Sequence, residues 1–281
     1  LSFWVNSKRF LKKCDAPYDL VYGFNFSPIL SLEGVRVFKK RRNIPYVIHV
    51  FDLWPESVLA AGITKKGTLL YKYLFRLSKR IYDEADLFFL SSPGFKDYFE
   101  KVLGIEKPSV LVYQPIEEIN RELPNPFQEG EKPLVYCGNI GRVQNLAPFI
   151  AAFSLLEKET PYRFYIIGEG SEKEKMEALV HALKLEDKVF FLGHLSQDEA
   201  SPYKRNAFMN VVSLEQGDDY VSMTIPTKLL SSLEDGRPIL ASIGKGGADM
   251  LLKAQGSFLI EPNKESVLDA LKKAQTLDET A

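Results

Sequence analysis

The feature that most limits the fold of this chain is a repeated switch of hydrophobic period. Short runs rich in β-branched and aromatic residues cover 19–24, 45–51, 86–90 and 109–113, and they read as buried strands. Longer amphipathic runs at 28–42, 68–85 and 94–102 read as helices. The middle one places Leu70, Leu74, Leu77 and Ile81 on one stripe. A second series follows, with strands at 134–137, 164–167, 189–192, 209–212, 239–241 and 258–260. Its helices fall at 145–158, 172–183, 227–233, 248–254 and 264–274. Strands that alternate with helices at this spacing pair in parallel and are covered on both faces. Residues 120–133 interrupt the pattern with Pro124, Pro126, Gly130 and Pro133 among polar neighbours, which is linker chemistry. The expectation is an α/β protein of two doubly wound domains, 1–122 and 131–281.

A length of 281 residues suits two domains, and a formal net charge of −1 offers no field for nucleic acid. Cys14 and Cys137 are too few for a disulfide framework or a metal-ligand cluster, which suits a reducing, cytoplasmic compartment. No apolar run is long enough to span a bilayer. Residues 1–5 read as the middle of a helix, so an amino-terminal part is expected to be missing.

In doubly wound sheets ligands sit beyond the carboxyl ends of the strands. Three such ends in the second domain carry glycines. Gly138-Asn139-Ile140-Gly141-Arg142 opens backbone amides to an oxyanion just before a helix amino end, and Arg142 adds charge. A tight strand-to-helix turn explains the same residues. Gly168-Glu169-Gly170-Ser171 allows close approach of a nucleobase or ribose, or else is a helix cap. Gly193-His194 ends the next strand, where His194 alone reads as an unremarkable exposed residue. Thr227 and Lys228 follow Pro226 in a first helical turn. A cation there opposes the helix dipole, a cost a bound anion removes, so Lys228 reads as a diphosphate contact or else as a solvated lysine.

In the first domain, His49 to Ser57 ends a strand. Asp52 and Glu56 are candidates for sugar hydroxyls or acceptor orientation, and Trp54 offers a flat face for a sugar ring. The plainer alternatives are a cap, a core tryptophan and a satisfied strand histidine at His49. Ser92 is a candidate cap for the helix after Pro93. Lys65, Lys66, Lys72, Tyr73, Arg76, Lys79 and Arg80, with Phe3, Trp4, Lys8, Arg9, Phe10, Lys12 and Lys13, form basic, aromatic segments. They suit an anionic membrane or an ordinary solvated face.

Taken in order, Asp52-Leu53-Trp54-Pro55-Glu56-Ser57, Ser91-Ser92-Pro93-Gly94-Phe95, the Gly138–Arg142 turn and Pro226-Thr227-Lys228 through Gly236-Arg237-Pro238 resemble family 4 retaining glycosyltransferases. The closest likeness is to the bacterial surface-polysaccharide branch, similar to fucosaminyl and capsule transferases. The resemblance implies a GT-B fold of two Rossmann-like domains, the first incomplete. It implies transfer of a hexose or N-acetylhexosamine from a UDP-sugar or similar donor to a lipid-linked glycan, without a metal. Gly138, Asn139 and Lys228 would face the diphosphate, and Gly141, Arg142, Thr227 and Ser231 are counted with them among the residues that bind the nucleotide sugar. Gly168, Glu169 and Gly193 would face the nucleoside, and Asp52, Gly246 and Gly247 the donor sugar or acceptor. The chain departs from the wider family where Ser231 stands in place of a ribose-binding glutamate, and near Met223, with Glu215 as a replacement. Asn139 and Gln144 stand where the wider family has Arg and Lys. Gly217-Asp218-Asp219-Tyr220 does not form a metal motif. A non-catalytic subunit whose missing segment comes from a partner chain is the alternative. A nucleotide-sugar epimerase fits less well, because only His49, His181 and His194 are available as histidine acid/bases.

Overall fold

All ten strands of the computed structural model that fall among the described residues pair in parallel. The structure describes residues 2–25, 28–116, 123–214 and 222–275. They divide into two units. Residues up to Gln114, with Ser222, Met223 and Thr224, form the first; the remainder form the second.

The first sheet runs in the order β1 (Val21–Asn25), β2 (Tyr46–Val50), β3 (Leu87–Leu90), β4 (Ser109–Leu111). Around it lie α1 (Ser2–Lys13), a 3₁₀ turn (Ile29–Leu32) leading into α2 (Glu33–Arg42), and the short α3 (Glu56–Ala60). Then come α4 (Leu69–Asp83) and α5 (Gly94–Asp97), which continues as a π-helical turn (Tyr98–Leu103). β2 is buried along its whole length, as a strand in mid-sheet must be. Its residues pack with Leu53, Trp54, Leu77, Ile81, Phe88 and Phe95 in one core. Thr68 caps α4 by accepting the Tyr71 amide at 3.2 Å. The stripe expected on this helix holds at Leu77 and Ile81 but not at Leu70, which is 47% exposed. Tyr71 is the inward anchor at that end instead.

The second sheet runs β10 (Phe258–Leu259), β9 (Ile239–Ser242), β8 (Met209–Ser213), β5 (Lys132–Cys137), β6 (Tyr162–Ile167), β7 (Val189–Gly193). From β5 the chain builds outward to β7, then returns to the other side of β5 with β8. The reversal between β5 and β8 is a topological switch point, where doubly wound sheets open a crevice. Helices α6 (Ala147–Phe153), α7 (Lys173–Ala182), α8 (Gln197–Arg205), α9 (Thr227–Glu234), α10 (Lys245–Leu251) and α11 (Lys264–Ala274) complete the unit. Phe149, Phe153 and Phe164 sit in its main core, and the Tyr162 hydroxyl donates to the Leu271 carbonyl at 2.7 Å, tying β6 to α11.

Several elements differ from the sequence reading. The helix expected over 145–158 shrinks to Ala147–Phe153, because Asn145 is left-handed (φ 41°) just before it and Ser154 closes it with a turn. α8 has no apolar periodicity and contains Pro202, yet the Ser196–Glu199 capping box starts it: the Ser196 amide donates to Glu199 Oε2 at 2.8 Å. At the end of the proline-rich stretch, Lys132 and Pro133 already belong to β5.

Candidate functional site

β5 carries Tyr136, Cys137 and Gly138 to the carboxyl edge of the second sheet, beside its reversal. Tyr136 is fully buried, and its hydroxyl donates to the Asn139 carbonyl at 2.6 Å, which closes the turn. The phenol oxygen can still accept. Lys228, in the first turn of α9, donates to it at 2.5 Å and stands 4.5 Å from the centre of the same ring. The lysine reaches this position by crossing Gly138. A Cβ on Gly138 would lie 2.1 Å from Lys228 Cε, and its φ of +140° already favours glycine.

Among the described residues Lys228 has no carboxylate partner. Burial pushes its pKa down to about 8, against a weak opposing pull from Cys137. A cation in the first turn of a helix is also disfavoured by the helix dipole. Two unfavourable terms thus meet on one ammonium, and an anion relieves both. Burial also raises the pKa values of Tyr136 and of the Cys137 thiol, so both stay neutral at pH 7.

The backbone of the turn differs from expectation. The Gly138 amide is spent within the sheet, donating to the Ile167 carbonyl at 2.8 Å. The Gly141 amide is held by the Gln144 side chain at 3.1 Å, and that side chain also takes Asn139 Nδ2 at 3.2 Å. The amides of Asn139, Glu169 and Gly170 have no partner among the described residues. Gly138 and Gly168 therefore serve close packing rather than donation. A Cβ on Gly168 (φ +140°) would lie 1.9 Å from the Gly138 carbonyl oxygen. The Gly168 amide donates to the Gly193 carbonyl at 2.7 Å, which joins the ends of β5, β6 and β7 into one rim.

The other expected residues are distributed as follows. Glu169 is exposed, and its carboxylate pairs with Lys173 at 2.7 Å. Thr227 is the exposed first residue of α9, with Pro226 in the capping position. The Ser231 hydroxyl donates back to the Lys228 carbonyl at 3.1 Å, within its own helix. Gly246 and Gly247 lie inside the first turn of α10 rather than in a loop. A Cβ on Gly247 would lie 2.8 Å from Leu229 Cδ2, so that glycine lets α10 pack on α9. Arg142 is exposed in a 3₁₀ turn and lines a separate pocket with Asn145, Glu172 and Met176. Glu215 and residues 217–220 lie outside the described residues. Tyr136, which the sequence left without a role, proves to be the direct partner of Lys228. An aromatic two residues before the turn glycine was the signal.

In the first unit, Asp52 follows β2, and its carbonyl accepts Asn25 Nδ2 at 2.8 Å. Burial raises the pKa of its carboxyl, partly offset by the nearby Ser57 hydroxyl and Leu53 amide. Glu56 and Trp54 do not serve as a sugar platform: both face inward, 1% and 7% exposed. Glu56 Oε1 accepts the hydroxyls of Tyr71 (3.0 Å) and Tyr98 (2.8 Å), and Trp54 joins the core. His49 is the satisfied strand histidine. Its Nε2 faces the Val112 carbonyl at 3.1 Å and so carries the proton, while Nδ1 accepts from the Tyr22 hydroxyl at 2.6 Å. Burial lowers its pKa, which keeps that neutral tautomer. Ser92 does not cap α5; its hydroxyl donates to the Met223 carbonyl. Among the described residues no three His, Cys, Asp or Glu side chains are grouped as metal ligands, and no helix is long and apolar enough to cross a membrane.

Known proteins share this architecture. "Crystal structure of Anabaena Alr3699/HepE in complex with UDP and glucose" superposes with a TM-score of 0.72 at 13% identity, covering 98% of this chain and 71% of that one. The lipopolysaccharide outer core galactosyltransferase WaaB, in its apo form, gives 0.65 at 20% identity over 97% and 70%. At such identities the likeness establishes the fold: parallel α/β, with GT-B neighbours. In sequence, the chain is 26% identical over 235 residues to "Probable glycosyltransferase WbjE" of Pseudomonas aeruginosa, covering 78% of this chain and 56% of the relative. It is 28% identical over 214 residues to the N-acetylgalactosamine-N,N'-diacetylbacillosaminyl-diphospho-undecaprenol 4-alpha-N-acetylgalactosaminyltransferase of Campylobacter jejuni, covering 73% and 54%. The chain thus spans about half the length of these relatives. The profile "Glycosyl transferases group 1" matches residues 118–281, more than half of the chain and all of the rim built around Lys228. By that match the chain belongs to the family of group 1 glycosyl transferases.

Proposed function

We propose that this chain binds a nucleotide diphosphate sugar, a UDP-sugar in the first instance, and takes part in moving its hexose or N-acetylhexosamine to a lipid-linked glycan. The anomeric configuration is retained, and the product belongs to a bacterial surface polysaccharide. The observation that carries this reading is the half-buried ammonium of Lys228, which has no carboxylate partner among the described residues and stands at the switch point of the second sheet. When the bond from the anomeric carbon to the diphosphate breaks, its electron pair passes to a phosphate oxygen, and negative charge grows there. Lys228 and the unpartnered amides of Asn139, Glu169 and Gly170 supply positive poles already in place. The reading assigns this stabilisation to the chain's own groups rather than to a metal. Asp52, partly buried, is assigned to the sugar or acceptor. The UDP in the HepE structure and the diphospho-undecaprenol in the name of the Campylobacter relative support the donor and acceptor classes. On this reading the chain works at the cytoplasmic membrane face, with the first unit assigned to the acceptor.

Calorimetric titration with UDP tests the reading. Affinity is expected to be level between pH 7 and pH 8. Above the Lys228 pKa of about 8 it should fall about tenfold per pH unit, because the bound form needs the proton. Lys228→Ala should weaken binding on the order of tenfold to a hundredfold. No heat at millimolar UDP, or an unchanged affinity in the variant, sinks the proposal. A second reading, a binding subunit that turns over only with a partner chain, draws on Ser231, whose hydroxyl is engaged within α9. It requires UDP binding without donor hydrolysis by this chain alone.

A further inference from the structure

The first unit contains a surface that neither its packing nor its ion pairs use. Between residues 57 and 82 the sequence has no Asp or Glu but carries Lys65, Lys66, Lys72, Arg76, Lys79 and Arg80, in a protein whose net charge is −1. α4 is fixed from its inner side, where Tyr71 bonds Glu56 and Leu77, Ile81 and Tyr82 are buried. Its outer side is not a plain solvated face. Leu69 is 86% exposed, Tyr73 60%, and Ile63, in the loop before it, 69%. Leu69, Lys72, Tyr73 and Arg76 recur at helical spacing on this side. Lys65, Lys66, Lys72 and Arg76 have no acidic partner among the described residues. Arg80, by contrast, reaches Glu33 at 3.3 Å, and Lys79 is taken by the Leu103 carbonyl. α1 differs as well: Lys8 pairs with the same Glu33, and only Phe10 stands well out among its described hydrophobic side chains.

Water disfavours the bare apolar groups of this patch, and the cations beside them have no acidic partner among the described residues. A bilayer interface rich in anionic lipid accepts both, with Leu69 and Ile63 at the acyl boundary, the Tyr73 ring at headgroup level and the cations against phosphates. We propose that the outer face of α4's first half, with the Ile63–Lys66 loop, is a docking surface for an anionic lipid bilayer. This deepens the acceptor assignment above and in its functional meaning rests on that reading, although its evidence lies in α4 alone.

Vesicle sedimentation tests it, with pure phosphatidylcholine against phosphatidylcholine containing about one third phosphatidylglycerol. The intact chain should pellet with the anionic vesicles and not with the neutral ones, and salt should release it. Lys65→Glu/Lys66→Glu/Lys72→Glu/Arg76→Glu should lower partitioning at least a hundredfold. Leu69→Ser/Tyr73→Ser should lower it at least tenfold. All six side chains are exposed, so circular dichroism and UDP titration should be unchanged in both variants. Failure of the intact chain to bind anionic vesicles at low salt overturns the inference, as does loss in the charge variant with none in the apolar one. Self-association that the apolar variant abolishes, without vesicle binding, assigns the face to a second copy and also overturns it. If vesicles bind and UDP does not, the functional reading fails and this one stands.

Discussion

Two strand ends carry a charged side chain into a partly or fully buried setting, and they treat it in opposite ways. After β2, Glu56 is 1% exposed, and two tyrosine hydroxyls point at one of its oxygens. Beside the end of β5, Lys228 from α9 meets one phenol oxygen, a ring face and no counter-charge among the described residues. The first arrangement is answered from within and joins α3, α4 and α5 into one body. The second is answered only in part, and the remainder suits something from outside. The sheets agree with this division. The described first sheet runs in unbroken order from β1 to β4, whereas the second reverses beside β5.

Three substitutions sharpen or break this contrast. Glu56→Ala removes the carboxylate that accepts the Tyr71 and Tyr98 hydroxyls in the interior and should destabilise the first unit by on the order of 3 kcal/mol. Both tryptophans, Trp4 and Trp54, belong to that unit, so a urea melt followed by tryptophan fluorescence reads it selectively. UDP affinity should not move; a loss there would erase the contrast. Lys228→Met should act in the other direction and raise the stability of the second unit by on the order of 1 kcal/mol at pH 7, because it removes a poorly compensated charge. The folded-state pKa is depressed from 10.5 to about 8. The cost of burying the charge is therefore full below pH 8 and disappears as pH rises towards 10.5. The gain should shrink over that window in thermal melts at stepped pH. Tyr136→Phe keeps the ring beneath the ammonium and removes only its acceptor. It should weaken UDP binding severalfold, about 1 kcal/mol in calorimetry. A larger loss would mean that the phenol, not the lysine, is the principal group.

Much of the architecture was legible because it depends on period. Six strands of the second unit and four of the first fall within a few residues of their apolar runs, since a strand covered on both faces leaves no other pattern. α8 was not legible, because its start is written in one capping pair rather than in hydrophobic spacing. Lys228 could be singled out because a cation in a first helical turn conflicts with the dipole. That Gly138 spends its amide on Ile167 could not be read, because register between strands is absent from a linear string. Trp54 and Glu56 misled for a related reason. Trp-Pro flanked by acids looks like a binding loop, yet the tyrosines that draw Glu56 inward lie 15 and 42 positions away.

The mating of Gly138 with Gly168 has a consequence for anyone wishing to retarget this protein. Because the carbonyl of one turn fills the space where the other would carry a side chain, the two loops interlock like a dovetail, and neither can be recut alone. Libraries aimed at a new sugar should spare both joints. They should vary exposed positions such as His194, where new side chains meet solvent.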